Sequence, residues 1–332
     1  MSNFLNKINK NEKGIWRYAN FYDEFIRQEN RLSLGNRGLV IITTGAKPLQ
    51  SVYFKREDEN FTGSLKDRSL AYQVSLAKQN NKKELVISTS GNAGIAAAAY
   101  CQKAGIKLYV FISPKTEKAK IKEMQKYSPI IIKSKRAIRL ANYLAAKYKV
   151  ENLRPSVNGS SIEGFKSIAF EIFENLGKIN AIFTFVTSGS SFVGIGRAYQ
   201  YLLENKEIEK MPRLYAVQNN DKSSIAGKLG IKNTRRQKEI LKIIELTGGK
   251  IISVNNNEIL EAKGILEKND IHTSLEGCAS FAGIINATKK NNFNKIVCIL
   301  SGKLRKEISE IDESEIYKAE DLREVDETVA SI

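Results

Sequence analysis

Short apolar runs alternate along the chain with longer stretches in which apolar positions recur at helical spacing. Residues 85–88, 108–112, 130–133, 181–186, 214–218, 251–254 and 296–300 each read as a strand. A brief apolar run bounded by turn residues fits a strand covered on both faces. Between them, 93–103, 115–127, 137–148, 165–176 and 194–204 read as helices. Strands separated by helices of this length imply parallel pairing through right-handed crossovers, an α/β fold with parallel-rich sheets flanked by helices. Ligands of such sheets sit beyond the carboxyl ends of the strands, where loops meet helix N-termini. No internal repeat of about 20 to 50 residues is visible. The tail after Arg305 is charged and weakly periodic, and reads as a surface helix or a frayed end.

Composition narrows the classes. The 332 residues, 42% hydrophobic and 27% charged, suffice for one large domain or two packed lobes. Cys101, Cys278 and Cys298 are an odd number, far apart and without CxxC spacing. That excludes a disulfide framework or a cysteine zinc knuckle and suits a reducing cytoplasm. His272 is the sole histidine, so no metal site is expected and Ser-His-Asp catalysis would rest on that one ring. No stretch approaches the about 18 apolar residues of a membrane span, and residues 1–13 lack the apolar core of a signal peptide. A cytoplasmic protein with no membrane partner is expected. The 53 Lys+Arg against 36 Asp+Glu give +17, which invites a nucleic-acid reading. The basic residues are scattered, however, with no block of about five or six. Acidic residues gather over 307–327. A solvated lysine-rich surface is the expectation, with a field that favours anionic metabolites rather than nucleic acid.

Three turns follow predicted strands. Ser88, Thr89, Ser90, Gly91 and Asn92 combine hydroxyls, backbone amides and a helix N-terminus, a cradle suited to a carboxylate. An ordinary N-capped turn would use the same residue types. Thr187, Ser188, Gly189, Ser190 and Ser191 form a small-residue turn whose amides can approach a phosphate. It lacks the lysine of a nucleotide P-loop and the full GxGxxG spacing, which leaves the phosphate of a smaller cofactor. Ser301 and Gly302 follow the strand 296–300; a hydroxyl there can donate to a ring nitrogen or simply cap the turn. The run 159–167 imitates a Walker A loop but has an extra residue before Lys166 and no strand leading into it.

The most telling segment is Lys55-Arg56-Glu57-Asp58-Glu59-Asn60-Phe61-Thr62-Gly63-Ser64-Leu65-Lys66-Asp67-Arg68. Lys66 stands near the start of a predicted helix, where the helix dipole and desolvation both lower a lysine pKa, as an imine-forming amine requires. A phosphate-bearing aldehyde cofactor would also need a phosphate cradle, a ring-nitrogen partner and a carboxylate site. The chain offers one candidate for each.

These motifs resemble the fold-type II enzymes dependent on pyridoxal 5'-phosphate, a two-lobed, tryptophan synthase β-like fold, and within them the threonine synthases. The resemblance spans Gly14-Ile15-Trp16-Arg17-Tyr18 to Ser301-Gly302-Lys303-Leu304, with Met211-Pro212-Arg213-Leu214-Tyr215-Ala216-Val217-Gln218 reading like threonine synthase. It implies Lys66 as the cofactor lysine and proton shuttle, although the family usually has Phe where Leu65 stands. It implies Asn92 at the cofactor's ring oxygen and Ser88, Thr89, Ser90 and Gly91 at the substrate carboxylate. Ser188, Gly189, Ser190 and Ser191 fall at the phosphate loop, where two common glycines are serine here, and Ser301 falls at the pyridine nitrogen. A neutral hydroxyl at Ser301 suits elimination or replacement over transamination. The implied activity is a lyase forming threonine from O-phosphohomoserine in amino-acid biosynthesis. The implied lobes are a smaller substrate-side one over 88–150 and a larger cofactor-binding one over 1–87 and 151–332, with a small-molecule amino-acid substrate and a homodimer left open.

One position departs from the pattern. The family's phosphate-binding Arg aligns with Ser161, in Ser161-Ile162-Glu163-Gly164, and charge-assisted bidentate contacts are the strong ones. Arg154 or Lys47 are the candidate substitutes, and Ser161→Arg is expected to recover phosphate capture. Two alternatives stand beside threonine formation. One is a related β- or γ-replacement or elimination enzyme acting on phosphoserine, acetylserine, serine or threonine. The other is a non-catalytic subunit, against which the joint presence of Lys66, Asn92 and Ser301 argues.

Overall fold

The computed structural model describes residues 3–34, 41–43, 52–227, 230–289 and 293–332. Lys47 therefore lies outside the described residues. In chain order the strands are β1 (Ile41–Thr43), β2 (Val52–Arg56), β3 (Glu84–Ser88), β4 (Lys107–Ile112), β5 (Ile130–Lys133) and β6 (Glu151–Asn152). They continue with β7 (Ala181–Phe185), β8 (Arg213–Asn219), β9 (Lys250–Val254), β10 (Ile296–Leu300) and β11 (Ile316–Lys318). The helices are α1 (Asn3–Lys7), α2 (Lys66–Gln79), α3 (Asn92–Ala104), α4 (Lys118–Gln125), α5 (Ala137–Lys147) and α6 (Glu163–Leu176). After them come α7 (Ser190–Glu204), α8 (Gln237–Thr247), α9 (Asn256–Glu267), α10 (Leu275–Thr288) and α11 (Leu322–Ala330).

The chain divides into two compact units. The first comprises Met1–Asp23, Gly35–Leu65 and Ile162–Leu304. Its sheet has the order β1-β2-β10-β7-β8-β9, parallel except for β1 against β2. β7 and β10 are buried along their whole length, as central parallel strands covered on both faces should be. On one side α10 packs against β7 and β10, and Phe54, Phe183, Tyr215 and Phe281 fill the layer. Phe183 and Tyr215 stack with centroids 4.3 Å apart. Each such ring, fully buried, contributes about 1.5–3 kcal/mol. A second aromatic cluster joins Phe4, Tyr18 and Phe21 to Phe170 on α6. Helices α6 and α7 pack closely because Gly194 has no side chain; a Cβ there would lie 2.6 Å from Phe165 Cβ and 2.8 Å from the Ile162 carbonyl.

The second unit comprises Glu24–Leu34, Lys66–Ser161 and Arg305–Ile332. Its sheet, β11-β5-β4-β3-β6, is parallel throughout. Val86, Tyr109, Phe111 and Ile132 of the sheet pack with Leu140, Ala141 and Leu144 of α5. The unit is wider than the 88–150 lobe expected from the sequence. Helix α2 packs on α3, and the C-terminal segment adds β11 beside β5 and buries Ala319 and Val325 in the core. Lys66 therefore opens the smaller unit rather than lying inside the larger one. The tail carries the surface helix expected, α11, with Val325 docked in the core, and adds the strand β11 that was not expected.

Candidate active site

The three turns singled out in the sequence all stand at the carboxyl ends of parallel strands. In the first unit, β7 and β10 are paired neighbours, so the turn after β7 and Ser301 after β10 leave the same end of one sheet. Helix α7 begins at Ser190, earlier than the 194 expected, so Ser190 and Ser191 are its first turn. Its N-cap is Gly189 at φ 82°, ψ −9°, a left-handed conformation that favours glycine, and no side chain caps the helix. A Cβ on Gly189 would also lie 2.5 Å from Ile240 Cδ1. An N-terminus without a side-chain cap presents amides and positive dipole to an anion, which fits the phosphate of the cofactor.

Sequence reasoning missed the residues that grip this turn. Thr234 Oγ1 donates to the Ser188 carbonyl at 2.6 Å, and Arg236 Nε donates to Ser190 Oγ at 3.2 Å. Arg236 is held in turn by Glu239 at 2.9 Å. These residues lie more than forty positions downstream (46 for each pair) with no motif of their own, so only the fold reveals them.

Ser301 and the segment before Lys66 are brought together directly. Ser64 and Gly302 form an antiparallel bridge, Leu65 N–H donates to the Ser301 carbonyl at 3.1 Å, and Lys303 N–H donates to the Gly63 carbonyl at 2.8 Å. Gly63 takes φ 80°, which shapes the turn. Thr62, Gly63, Ser64 and Leu65 are buried, and Lys66, next in the chain, is the half-buried first residue of α2.

In the second unit the loop after β3 leads into α3. Thr89 N–H donates to the Phe111 carbonyl at 3.0 Å, and Thr89 Oγ1 accepts from Gly91 N–H at 3.2 Å. The N-cap of α3 is Gly91 and carries no side-chain cap bond, so the plain N-capped turn is not what forms. By contrast Asn255, Ser274 and Asp321 cap α9, α10 and α11 through their side chains. Ser88 Oγ and Asn92 Oδ1 are buried with no hydrogen-bond partner. Buried polar atoms left unpaired cost about 1–3 kcal/mol each, so a ligand that pairs them recovers that cost. The Ser88 hydroxyl, with Thr89, Ser90 and Gly91 in the same loop, thus suits a carboxylate as a donor, whereas Asn92 Oδ1 is an acceptor and the Asn92 side chain would meet a cofactor oxygen through its Nδ2.

Ser161 is different. It is fully buried, its hydroxyl donates to the Pro155 carbonyl at 2.8 Å, and its own carbonyl accepts from Ser69 Oγ at 2.8 Å. The structure thus places it in the interior with its one donor committed. Lys166, the next cation in the segment, is held by Asp23 at 2.7 Å and Glu163 at 2.8 Å. Burial pushes the Glu163 carboxyl up despite Lys166. Arg154 is half-buried, with its amide on Asn152 Oδ1 at 3.0 Å. His272 is exposed. All three cysteines are free and buried, and burial raises each thiol above its ordinary value, Cys278 to about 12. They are core filling. Among the described residues no group of acidic, His and Cys side chains could hold a metal, and no helix is long and apolar enough to cross a membrane.

Residues 38–302 match the family described as pyridoxal-phosphate dependent enzyme. The chain belongs to that family, and pyridoxal phosphate is its cofactor. A threonine synthase of Halalkalibacterium halodurans is 27% identical over 271 residues, spanning 75% of this chain and 76% of its own. A threonine synthase of Methanocaldococcus jannaschii is 24% identical over 339 residues, spanning 89% and 81%. The crystal structure of a pyridoxal 5'-phosphate-dependent aspartate racemase superposes with a TM-score of 0.67 at 21% identity, covering 77% of this chain and 84% of that one. That likeness is one of fold, the fold-type II architecture expected from the sequence.

Proposed function

We propose that the protein is a threonine synthase-like lyase, which breaks a carbon–oxygen bond on the side chain of an α-amino acid. When bound, the cofactor supplies an electron sink for charge developing at the substrate's Cα. The Lys66 amine carries the cofactor covalently and then moves the proton at Cα. Amides of Ser188, Gly189, Ser190 and Ser191 hold the phosphate, the Asn92 amide holds the ring oxygen, and Ser88, Thr89, Ser90 and Gly91 hold the substrate carboxylate. The observation that carries the reading is Ser301, a neutral hydroxyl at the end of β10 whose own carbonyl is pinned by Leu65, one residue from Lys66. A hydroxyl donates to a ring nitrogen but cannot hold it protonated as a carboxylate would, which suits elimination and replacement over transamination. With O-phosphohomoserine, Cα and Cβ each give up a proton, the γ C–O bond breaks and phosphate leaves with its electron pair, the hydroxyl of water joins Cβ, and protons join Cγ and Cα, giving threonine.

The buried Ser161 favours a second reading at the side-chain end alone. With its donor on Pro155, it offers nothing to a substrate phosphate. A substrate with a smaller or uncharged leaving group, such as acetylserine, serine or threonine, then fits with its carboxylate on the same loop. The test is a product screen of phosphohomoserine, phosphoserine, acetylserine, serine and threonine, scored as phosphate, acetate, threonine or 2-oxoacid release. Threonine from phosphohomoserine supports the first reading, and release only from the others supports the second. No visible cofactor band and no turnover with any of them refutes both and leaves a non-catalytic subunit.

A further inference from the structure

Strand β2 carries buried charges that no step above uses. Lys55 is 4% exposed and Glu57 is fully buried, with Nζ and Oε1 2.6 Å apart. The same ammonium lies 3.1 Å from Glu171 Oε2 on α6. Ions in an apolar interior are costly, so a buried group of three is weak as a source of stability and better suited to fixing geometry. The group does not end at the ion pair. Glu57 Oε2 accepts from Asn60 Nδ2 at 2.8 Å, and that Nδ2 also donates to the Ser64 carbonyl at 3.1 Å. The Asn60 carbonyl accepts from Gly63 N–H at 2.7 Å. A continuous line therefore runs Glu171, Lys55, Glu57, Asn60, Ser64, entirely within the first unit, and stops two residues short of Lys66. At its end Ser64 and Leu65 are bound to Gly302 and Ser301.

We infer that Lys55, Glu57 and Asn60 are positioning residues that set the direction in which Lys66 leaves its turn. β2 and β10 pair in register, Lys55 beside Ile299 and Arg56 beside Leu300, so both sides of the turn are anchored to one pair of strands. Asn60 is the joint. It is half-buried, so its truncation opens no core cavity, yet its amide is the link between the charges and the Ser64 carbonyl. The inference rests on the reading of Lys66 as the cofactor lysine.

The test uses the full-length, cofactor-loaded protein with Asn60→Ala and Asn60→Asp; the second turns the bridging donor into an acceptor facing Glu57 and the Ser64 carbonyl. Visible circular dichroism of the bound cofactor reports its orientation, the pH at which its band titrates reports the Lys66 environment, and stopped-flow mixing gives its reattachment rate to stripped protein. Both variants are expected to change the dichroic band and the titration pH and to slow reattachment about tenfold, Asn60→Asp more than Asn60→Ala, with unchanged far-ultraviolet spectra. A merely structural asparagine would lower the melting temperature and leave those signals alone. Wild-type values of all three in both variants overturn the inference. Should Asn60→Ala not fold, the same readings on Asn60→Ser, which also lacks the bridging amide, decide, with wild-type values again counting against it. If borohydride traps the cofactor of the unmodified protein on another lysine, the reading of Lys66 fails first and takes this inference with it.

Discussion

Ser161 shows how much one buried hydroxyl constrains. An arginine in its place would have to enter a position with no solvent exposure, where the Pro155 carbonyl and the Ser69 hydroxyl already occupy the polar contacts. Overpacking alone costs about 1–3 kcal/mol, and an unpaired guanidinium adds to it. The expectation that Ser161→Arg recovers phosphate capture therefore gives way to a different outcome: a lower melting temperature and no gain in phosphate release from phosphohomoserine. A tenfold gain at unchanged melting temperature would show that the side chain finds a way out to the substrate. Lys66→Ala is the complementary case, because a half-buried helix-start residue is replaced without opening a core. The variant should melt like the parent and lose covalent cofactor on dialysis; retention of the visible band would mean another nucleophile. The raised thiols of Cys101, Cys278 and Cys298 lead to a third outcome. A thiol whose pKa is pushed up stays protonated at pH 8, and these three are buried besides, so a disulfide reagent should titrate none of them until the protein is denatured.

At the scale of elements, legibility followed burial. β10 has the bounds read from the sequence, because a strand covered on both faces leaves an unbroken apolar run, and β5 has them because its three isoleucines stand out between polar flanks. β2 escapes that reading because Lys55 and Arg56 interrupt its apolar run; their partners Glu57, Glu171 and Asp58 are brought in only by the fold. α8 is blurred because Leu241 and Leu246 are exposed and spoil its apolar stripe. α10 is apolar around most of its circumference, being packed on β7 and β10, so its sequence carries little periodicity. Of the candidate site, the turns and Lys66 were legible from glycine, serine and strand ends, whereas Thr234 and Arg236 act through contacts 46 positions away that have no local signature. The C-terminal tail does carry the surface helix expected, but its docking and β11 were not legible, because the attachment depends on three distant partners. Asp326 on α11 accepts from Tyr143 at 2.8 Å, Lys147 at 2.6 Å and Tyr148 at 2.8 Å. The Lys147 hydrogen bond is the main cause of a depressed Asp326 carboxyl, below its ordinary 3.8. A depressed carboxylate contributes attachment above the ordinary value and loses it as pH falls through the folded one. Protection of the α11 amides relative to free peptide should therefore drop below about pH 4, where an unperturbed Asp takes up its proton, and Asp326→Asn should show the lower protection already at neutral pH. Equal protection in parent and variant would mean that Val325 and Ala319 alone hold the helix.

Charge belongs to the whole molecule. The formal +17 comes from basic residues spread along the chain rather than from a patch, so its effect is a broad field and not a docking surface. Two ligands of this enzyme class would feel it in different degrees. The cofactor carries a phosphate, as does phosphohomoserine, whereas serine and threonine are zwitterions with no net charge. The screening length falls from about 30 Å at 0.01 M salt to about 10 Å at 0.1 M and 3 Å at 1 M. Association of cofactor with stripped protein should therefore slow several-fold over that range, and kcat/KM for any phosphorylated substrate should fall alongside it. Turnover of a zwitterionic amino acid by the loaded enzyme should change little, because a ligand with no net charge is not drawn in by a long-range field. Stopped-flow loading and initial rates in a salt series separate the cases. A salt slope as steep for serine or threonine as for the phosphorylated ligands would place the effect in the protein's own conformation, and the long-range field would then have no part in bringing ligands in.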